Sequence, residues 1–308
     1  MKKLKEEDII KLFTQKNKNF HFDDCEILPV KKSHYKNIIT CDTMIEETHF
    51  KIEWHNPIQL AKKLFHINLS DLISSGGIPL WCTLQMGFSY KKVSSDYIKT
   101  FIKQFLKECN KYQCPLIGGD TFYSQLMVLS LTMGGYTKNY LTRNSYPDSY
   151  IYVTGNFGLS LLGYKLLAKK TSIPEKLKNI ALKKHLSPSA RLEWAKKIYP
   201  YAISMMDVSD GLYQDLQKMA KISNYQFEIH LEKIPIHPAF KNIISPEEAL
   251  ISGEEYELIF TSKKELNLPF VTKIGKVSSK KLNSNILPLI IYFNNKKYSI
   301  KEIGYEHF

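Results

Sequence analysis

The chain has 308 residues, of which 44% are hydrophobic and 24% charged. This is the composition of a globular protein and excludes a disordered chain or a fibre, and a length of about twice the typical ~150-residue domain favours two domains. No apolar run approaches the roughly 18 residues of a membrane-spanning helix. The N-terminal sequence MKKLKEEDIIKLF lacks the apolar segment of a secretory signal. We therefore expect no membrane partner.

The net charge of +13 at pH 7 suggests a polyanion partner. However, Arg143 and Arg191 are the only arginines among 43 basic residues, and nucleic-acid readers favour arginine for bidentate contacts. The lysines are scattered in pairs and form no basic run. We interpret the excess as a solvated lysine coat and expect no nucleic-acid partner, while a non-catalytic polyanion-binding protein stays open as an alternative.

The cysteine pattern indicates reduced thiols. The five cysteines form no CxxC pair and no even framework, which favours a cytoplasmic protein. They are Cys25, Cys41, Cys82, Cys109 and Cys114.

Strand-like and helix-like periodicities alternate along the chain, which predicts an α/β (α+β) architecture with mixed sheets flanked by helices. The predicted elements in chain order are a strand at Asn37 to Cys41, a helix from Asn56-Pro57 to Gly76-Gly77, a strand at Trp81 to Phe88, a helix from Ser94 or Ser95 to Tyr112, and strands at Leu126 to Gly134 and Tyr150 to Thr154. They continue with a helix from Ser187-Pro188 to Ile198, a strand at Ala202 to Met206, a helix from Ser209 to about Ile222, and strands at Phe227 to Leu231, Tyr256 to Thr261, Val271 to Ile274 and Leu289 to Phe293. The polar, turn-rich segment TKNYLTRNSYPDS predicts a boundary between domains at 1–140 and 141–308.

A set of aspartates recurs where an apolar strand is predicted to meet a turn. A carboxylate at such a place loses water and needs a counter-ion or hydrogen bonds. Because so few arginines are available, the set predicts Mg²⁺, which prefers oxygen ligands and binds together with substrate phosphates. The alternative for each aspartate alone is a helix cap or a turn. The six are Asp24, Asp42, Asp71, Asp120, Asp207 and Asp210.

Glycines beside these aspartates favour a phosphate site, because glycine lets backbone amides approach a phosphate closely. Gly118-Gly119 precede Asp120, and Gly211 follows Asp210. No P-loop is present, and the GxSxG, HExxH and protein-kinase motifs are also missing.

The motifs together resemble a known family. FDDCEILPV, TCDTMIEETHF, NLSDLISSGGIP, LIGGDTF, LTRNSYPDSYIYVTGNFG, MDVSDGLYQDL, SGEEYELIFT and the terminal GYEHF occur in the order seen in the thiamine-monophosphate kinases. The resemblance implies the two-domain aminoimidazole ribonucleotide synthetase-like fold. It also implies a homodimer formed through the N-terminal domain, ATP bound without a P-loop, Mg²⁺ ions, and thiamine monophosphate as the acceptor substrate.

The resemblance also implies roles for individual residues. The expected metal ligands are Asp24, Thr40, Cys41, Asp42, Asp71, Asp120, Asp207 and Asp210. Among these, Asp71, Asp207 and Asp210 are expected to be essential for turnover. The expected nucleotide contacts are Gly119, Asp120, Arg143 and Ser209, and the expected contacts to thiamine phosphate are His49, Glu254 and Tyr305.

Four positions depart from the family pattern. Phe22 replaces a glycine, Cys41 replaces a hydroxyl-bearing residue, Ser75 stands where alanine or methionine is usual before Gly76, and Glu255 stands where aspartate is common. None of them removes a carboxylate from the expected metal set. Another ATP-dependent enzyme of the same superfamily, of the selenophosphate synthetase or aminoimidazole ribonucleotide synthetase type, stays open as an alternative.

Overall fold

The computed structural model describes residues 34–300 and the short strand at 26–27. Helices α1 to α7 span Pro57–Ser74, Ser95–Lys111, Leu159–Leu167, Glu175–Leu186, Leu192–Ile198, Leu212–Ser223 and Pro246–Ile251. Strands β1 to β12 span Glu26–Ile27, Lys36–Ile45, Ile78–Phe88, Leu116–Tyr123, Val128–Thr137, Tyr150–Thr154, Ser204–Asp207, Tyr225–His230, Leu258–Ser262, Val271–Lys281, Leu289–Phe293 and Lys296–Tyr298.

Helix α1 begins where the sequence predicts. The Asn56 side chain accepts a hydrogen bond from the Gln59 amide at 2.9 Å, and the Gln59 side chain accepts one from the Asn56 amide at 3.1 Å. Pro57 follows at the first helical position, where its missing N–H costs nothing. Apolar side chains cover most of this helix, which explains why nearly all of it is buried.

The strands form two mixed sheets, which confirms the predicted fold class. The N-terminal sheet has the order β1-β2-β5-β3-β4, and the C-terminal sheet has the order β12-β11-β8-β10-β6-β9-β7. Helices α1 and α2 pack on one face of the N-terminal sheet. The opposite face, which we call the open face, carries exposed side chains such as Cys41 and Thr43.

Apolar packing continues from one sheet to the other. The core around α1 includes Tyr152, Met205 and Phe260 of the C-terminal sheet. The Tyr199 hydroxyl also donates to the carbonyl of Ile73 at 2.9 Å. The two sheets therefore share one core on the side of α1, although a second core fills the C-terminal domain. The boundary at residue 140 stays a prediction.

The structure also contains elements that the sequence patterns did not predict. Strand β4 replaces the expected glycine turn, and α3, α4 and α7 fill segments that we left unassigned. Helix α5 begins at Leu192 rather than at Ser187. These helices are short, and α4 buries only Ala181, His185 and Leu186, so their apolar periodicity is weak. Within residues 34–300, no helix is both long enough and apolar enough to span a membrane.

Candidate functional site

The first part of the site joins β2 to α1. The Thr40 hydroxyl donates a hydrogen bond to the Asp71 carboxylate at 3.0 Å. The backbone amide of Asp42 donates to the Asn68 side chain at 3.1 Å. Since Asn68 and Asp71 are three residues apart on a helix, they share one face and meet alternate residues of the strand. Thr40, Asp42 and Asp71 are thereby brought together.

Two of these aspartates do not lie where the sequence placed them. Asp42 is in the middle of β2 rather than at its end, because β2 continues to Ile45. Asp71 belongs to α1, three residues before its last residue, and not to a turn. The prediction that all six aspartates follow strand ends was therefore wrong. Carboxylates can also be brought together where the face of a helix packs on the face of a strand, as α1 packs on β2.

The second part is the turn between β7 and α6. Asp207 ends β7 and is buried, as predicted, and Asp210 lies in the turn. Gly211 has a φ of 114°, and a Cβ there would lie 2.8 Å from the Ile251 carbonyl oxygen, so only glycine fits. The Asp215 carboxylate accepts hydrogen bonds from the amides of Ser209 and Asp210, both at 3.1 Å. Asp215, in the first turn of α6, therefore holds the backbone of the turn that precedes the helix.

Asp210 has a counter-ion on its own chain. The Lys218 ammonium donates to Asp210 and, at 3.2 Å, to Asp215. Burial raises the pKa of Asp215 to about 6. The positive charges of Lys218 and Arg143 act in the opposite direction and lower this pKa. The sequence reasoning considered only arginines as counter-ions and so overlooked this lysine. The carbonyl of Arg143 accepts a hydrogen bond from the Ser223 hydroxyl at 3.4 Å, so its backbone lies beside the end of α6, the helix that follows this turn.

Carboxylates from both domains converge on one phenol. Tyr256 is buried, and its backbone amide donates to the Val208 carbonyl at 2.8 Å. Burial raises the pKa of Tyr256 well above its usual 10, and the carboxylates of Glu254, Asp42, Asp207 and Asp71 raise it further. The described aspartates of β2, α1 and β7 are therefore near enough to Tyr256 for their charges to act on its hydroxyl.

The expected substrate residues His49 and Glu254 also lie close to one another. The His49 ring accepts a hydrogen bond from the Ile45 amide at 3.0 Å, which fixes the ring within its own turn. Lys63 joins the two residues, since its ammonium lies 2.6 Å from Glu254 Oε1 and 3.5 Å from the His49 carbonyl oxygen. The Glu254 amide donates to the Ser209 carbonyl at 2.6 Å, which links this pair to the turn after β7.

Other predicted residues are not brought to this site within one chain. Asp120 pairs in register with Gln85, which pairs with Ser130, which pairs with Thr43. Paired residues point to the same face of a sheet, and successive residues point to opposite faces. Asp120 therefore lies on the open face, opposite to Asp42 and about 14 Å away across three strand spacings. It is in an exposed strand and not in a glycine turn, because Gly118 and Gly119 pair with β3.

Cys41 also faces away from Asp42. Its thiol is exposed on the open face and accepts a hydrogen bond from the Thr132 hydroxyl at 3.4 Å. A metal held by Asp42 could therefore contact only the backbone of Cys41. The replacement of a hydroxyl-bearing residue by Cys41 does not place a thiol beside that metal. Asp24 and Tyr305 were also expected in the site, but they and Phe22 lie outside the described residues.

Glu255 is a structural residue in this fold. Its carboxylate accepts hydrogen bonds from the amides of Gly158 and Ser160 at 2.7 and 3.1 Å, at the start of α3. Lys184 lies 3.5 Å from its second oxygen. Burial raises the pKa of Glu255, and Lys184, the Ser252 hydroxyl and the Ser160 amide oppose the shift. The Glu255 carboxylate therefore caps the start of α3.

Sequence reasoning missed a buried ionic network behind Glu254. Glu257 is fully buried between Lys184, at 2.7 Å, and a bidentate Arg191. The available signal was the run SGEEYEL, where three glutamates immediately precede or begin an apolar strand. A second signal was Lys63, which interrupts the apolar surface of α1.

The donor chemistry of the site suits Mg²⁺. Carboxylates of like sign face Tyr256, and a divalent cation would relieve their repulsion. Within residues 34–300, no group of three or more His, Cys, Asp or Glu side chains is already arranged around a metal position. Asp42, Asp71 and Asp207 are the described residues that would hold such an ion.

Comparison with known proteins agrees with this architecture. The sequence matches the AIR synthase related protein family, with its N-terminal domain over residues 22–137 and its C-terminal domain over residues 147–280. It is 38% identical to the thiamine-monophosphate kinase of Leptospira interrogans, over 93% of this chain and 92% of that relative.

Solved structures are similar over the whole chain. One, described as AaThiL complexed with AMPPCP and TMP, has a TM-score of 0.87 at 28% identity and covers 100% of this chain and 99% of its own. The thiamine monophosphate kinase of Aquifex aeolicus has a TM-score of 0.80 at 29% identity, over 94% of this chain and 96% of its own. The chain therefore belongs to the AIR synthase related protein family and, within it, to the thiamine-monophosphate kinases.

Proposed function

We propose that this chain transfers the γ-phosphoryl group of ATP to the phosphate of thiamine monophosphate, giving thiamine diphosphate and ADP. The observation that carries the proposal is the series of contacts that joins the carboxylate-bearing elements of both domains, from Thr40 to Asp71, from Lys63 to Glu254, and from Glu254 to the turn after β7. It is supported by the relatives named thiamine-monophosphate kinase and by the similar structure complexed with AMPPCP and TMP. The protein is thus a phosphotransferase with a phosphate group as acceptor.

The reaction requires little acid–base chemistry from the protein. The acceptor phosphate is already anionic near neutral pH, so a general base is unnecessary and direct in-line transfer suffices. The obstacle is the repulsion between two polyanions, which calls for positioning and electrostatic stabilisation. When bound, Mg²⁺ would neutralise the phosphate charge at the carboxylates of Asp42, Asp71 and Asp207.

The remaining residues act as positioning and binding groups in this proposal. The turn at Ser209 and Asp210 is fixed by Asp215 before nucleotide arrives. Arg143 supplies a fork suited to a phosphate. His49 and Glu254 meet the thiamine end of the substrate, and Asp24, Asp120 and Tyr305 complete the expected set.

A homodimer belongs to the same proposal. Strand β4 is exposed along its whole length, and its apolar residue Phe122, two residues from Asp120 and on the same face, is 43% exposed. A second copy covering the open face would bury this side chain. Asp120 would then lie at the interface between copies. A cytoplasmic location is likewise proposed, since four described cysteines are free thiols.

Purified protein with Mg²⁺, ATP and thiamine monophosphate tests the function. We expect ADP release that depends on thiamine monophosphate, together with thiamine diphosphate formation detected by chromatography. Asp71→Asn and Asp207→Asn should each reduce turnover at least about 1000-fold with an unchanged circular dichroism spectrum, because each removes a charge that faces the phosphates. Normal rates in both variants would contradict the site. Consumption of selenide or of a purine precursor in place of thiamine monophosphate would contradict the substrate.

A further inference from the structure

Lys63 occupies an unusual position for a lysine. It lies on α1 in the N-terminal domain, and its side chain is 1% exposed. A buried ammonium needs compensating partners, because its desolvation costs several kcal/mol in real proteins. Its partners are the Glu254 carboxylate of the C-terminal domain, at 2.6 Å, and the His49 carbonyl, at 3.5 Å. Both partners belong to residues expected to meet the thiamine end of the substrate.

Glu254 is itself tightly constrained. Its backbone has a φ of 54°, a conformation that L-residues other than glycine seldom adopt. Its two carboxylate oxygens face different partners, Oε1 facing Lys63 and Oε2 facing His185 Nδ1 at 3.4 Å. The backbone strain indicates that the surrounding contacts hold this residue in one conformation.

The charge that compensates Glu254 comes from Lys63 and not from His185. Burial lowers the pKa of His185 to about 4, so this ring is neutral at pH 7. Burial alone would raise the pKa of Glu254, but Lys63 and then His185 bring it below its usual value. At pH 7, therefore, the buried Lys63 ammonium balances the charge of the partly exposed Glu254 carboxylate across the domain boundary.

We propose that Lys63 is a positioning residue for substrate binding, which fixes the Glu254 carboxylate and the His49 backbone as one unit at the thiamine end of the site. This role rests on the proposed function, because that function gives Glu254 and His49 their contact with thiamine monophosphate. Lys63 itself lies behind both residues and acts through them.

The test compares KM values in Lys63→Met and in a matched control. Lys184→Met also removes a nearly buried lysine from buried glutamates, but its partners are Glu255 and Glu257. We expect Lys63→Met to raise the KM for thiamine monophosphate at least about tenfold while the KM for ATP stays within twofold. Lys184→Met should lower the melting temperature without raising the KM for thiamine monophosphate. An unchanged KM in Lys63→Met, or an equal rise in both variants, would overturn the proposal.

The double variant covers the case in which Lys63→Met does not fold. Glu254→Gln removes the negative charge that would otherwise be left without its cation, so Lys63→Met/Glu254→Gln should fold. If Lys63 acts through Glu254, the double variant should have a KM for thiamine monophosphate within about threefold of Glu254→Gln alone. A further tenfold rise in the double variant would contradict the role.

Wild-type turnover keeps the two hypotheses distinguishable. Failure of the wild-type protein to form thiamine diphosphate would contradict the proposed function. Normal wild-type turnover with an unaltered KM in Lys63→Met would contradict only the positioning role of Lys63.

Discussion

At the scale of single residues, one hydrogen bond connects β2 and α1, the two elements of the N-terminal domain that carry Asp42 and Asp71. The Thr40 hydroxyl holds one oxygen of Asp71 at 3.0 Å and leaves the other oxygen to other partners. Threonine at this position thus sets the orientation of a carboxylate on a different element. Metal binding by Thr40 stays a prediction of the resemblance, and the structure shows that its hydroxyl also orients the Asp71 carboxylate.

Thr40→Val removes this hydrogen bond while it preserves the shape of the side chain. A hydrogen bond to a charged group is worth about 1.5–3 kcal/mol, so we expect kcat/KM to fall about 10- to 100-fold. Thr40→Ser keeps the hydroxyl and should stay within about threefold of wild type. Steady-state kinetics on all three proteins measures this, and equal activity of the valine and serine variants would contradict it.

His55 should make the stability of the fold depend on pH. Burial lowers its pKa to about 3, while Lys63 lowers it further and a hydrogen bond to the Lys51 carbonyl opposes the shift. In the unfolded chain His55 is protonated as the pH falls below about 6.5, whereas in the folded chain it stays neutral down to about pH 3. This contribution to stability is therefore complete above pH 6.5 and decreases as the pH falls towards 3.

Between pH 7 and pH 5, this single group should reduce the free energy of unfolding by about 2 kcal/mol. His55→Leu should remove that part of the pH dependence, and the buried His185 should account for a comparable part that remains. Urea unfolding at pH 7, 6 and 5 measures the slope. An identical slope in the variant would contradict the assignment to His55.

At the level of elements, the turn between β7 and α6 is organised by the helix that follows it. Asp215, in the first turn of α6, accepts the amides of Ser209 and Asp210, and Lys218 one turn later balances the charge. The motif MDVSDGLYQDL therefore contains both the turn and the residue that holds it. The same sequence predicted the turn but gave no indication of which carboxylate points inward.

Asp215→Asn tests this organisation. An amide is a weaker acceptor and leaves Lys218 with one partner fewer, so we expect kcat to fall at least about tenfold and the melting temperature to fall by several degrees. Asp96→Asn is the control, because Asp96 is also in the first turn of a helix but its side chain is 93% exposed. The expectation fails if the two variants behave alike.

At the scale of the whole molecule, the open face of the N-terminal sheet should mediate association. Phe122→Lys places a charge on the open face of the exposed β4, and light scattering should then show a monomer in place of the dimer. Leu287→Lys is the control, since Leu287 is also exposed but lies in the C-terminal domain. A wild-type monomer, or a dimer that survives Phe122→Lys, would contradict this interface.

The sequence predicted the fold class, the longer strands and the well-capped helices, because their signals are local. Asn56 and Pro57, followed by an apolar periodic run, mark the start of α1 without any long-range information. The location of Asp42 and Asp71 in one site depends on which face of α1 meets which residues of β2, and no local pattern contains that information. Asp120 shows the same limit, because sequence proximity to glycines suggested a loop, while strand register places it on the open face.

The continuity of the core between the two sheets has a consequence for dividing the protein. Tyr152, Met205 and Phe260 pack against the same apolar cluster as the residues of α1. A chain cut between residues 140 and 146 would expose part of that apolar cluster on each fragment, and neither fragment would fold stably alone. The two domains are therefore better regarded as one cooperative unit, and exchange of a single domain between relatives would require the matching surface of its neighbour to be exchanged with it.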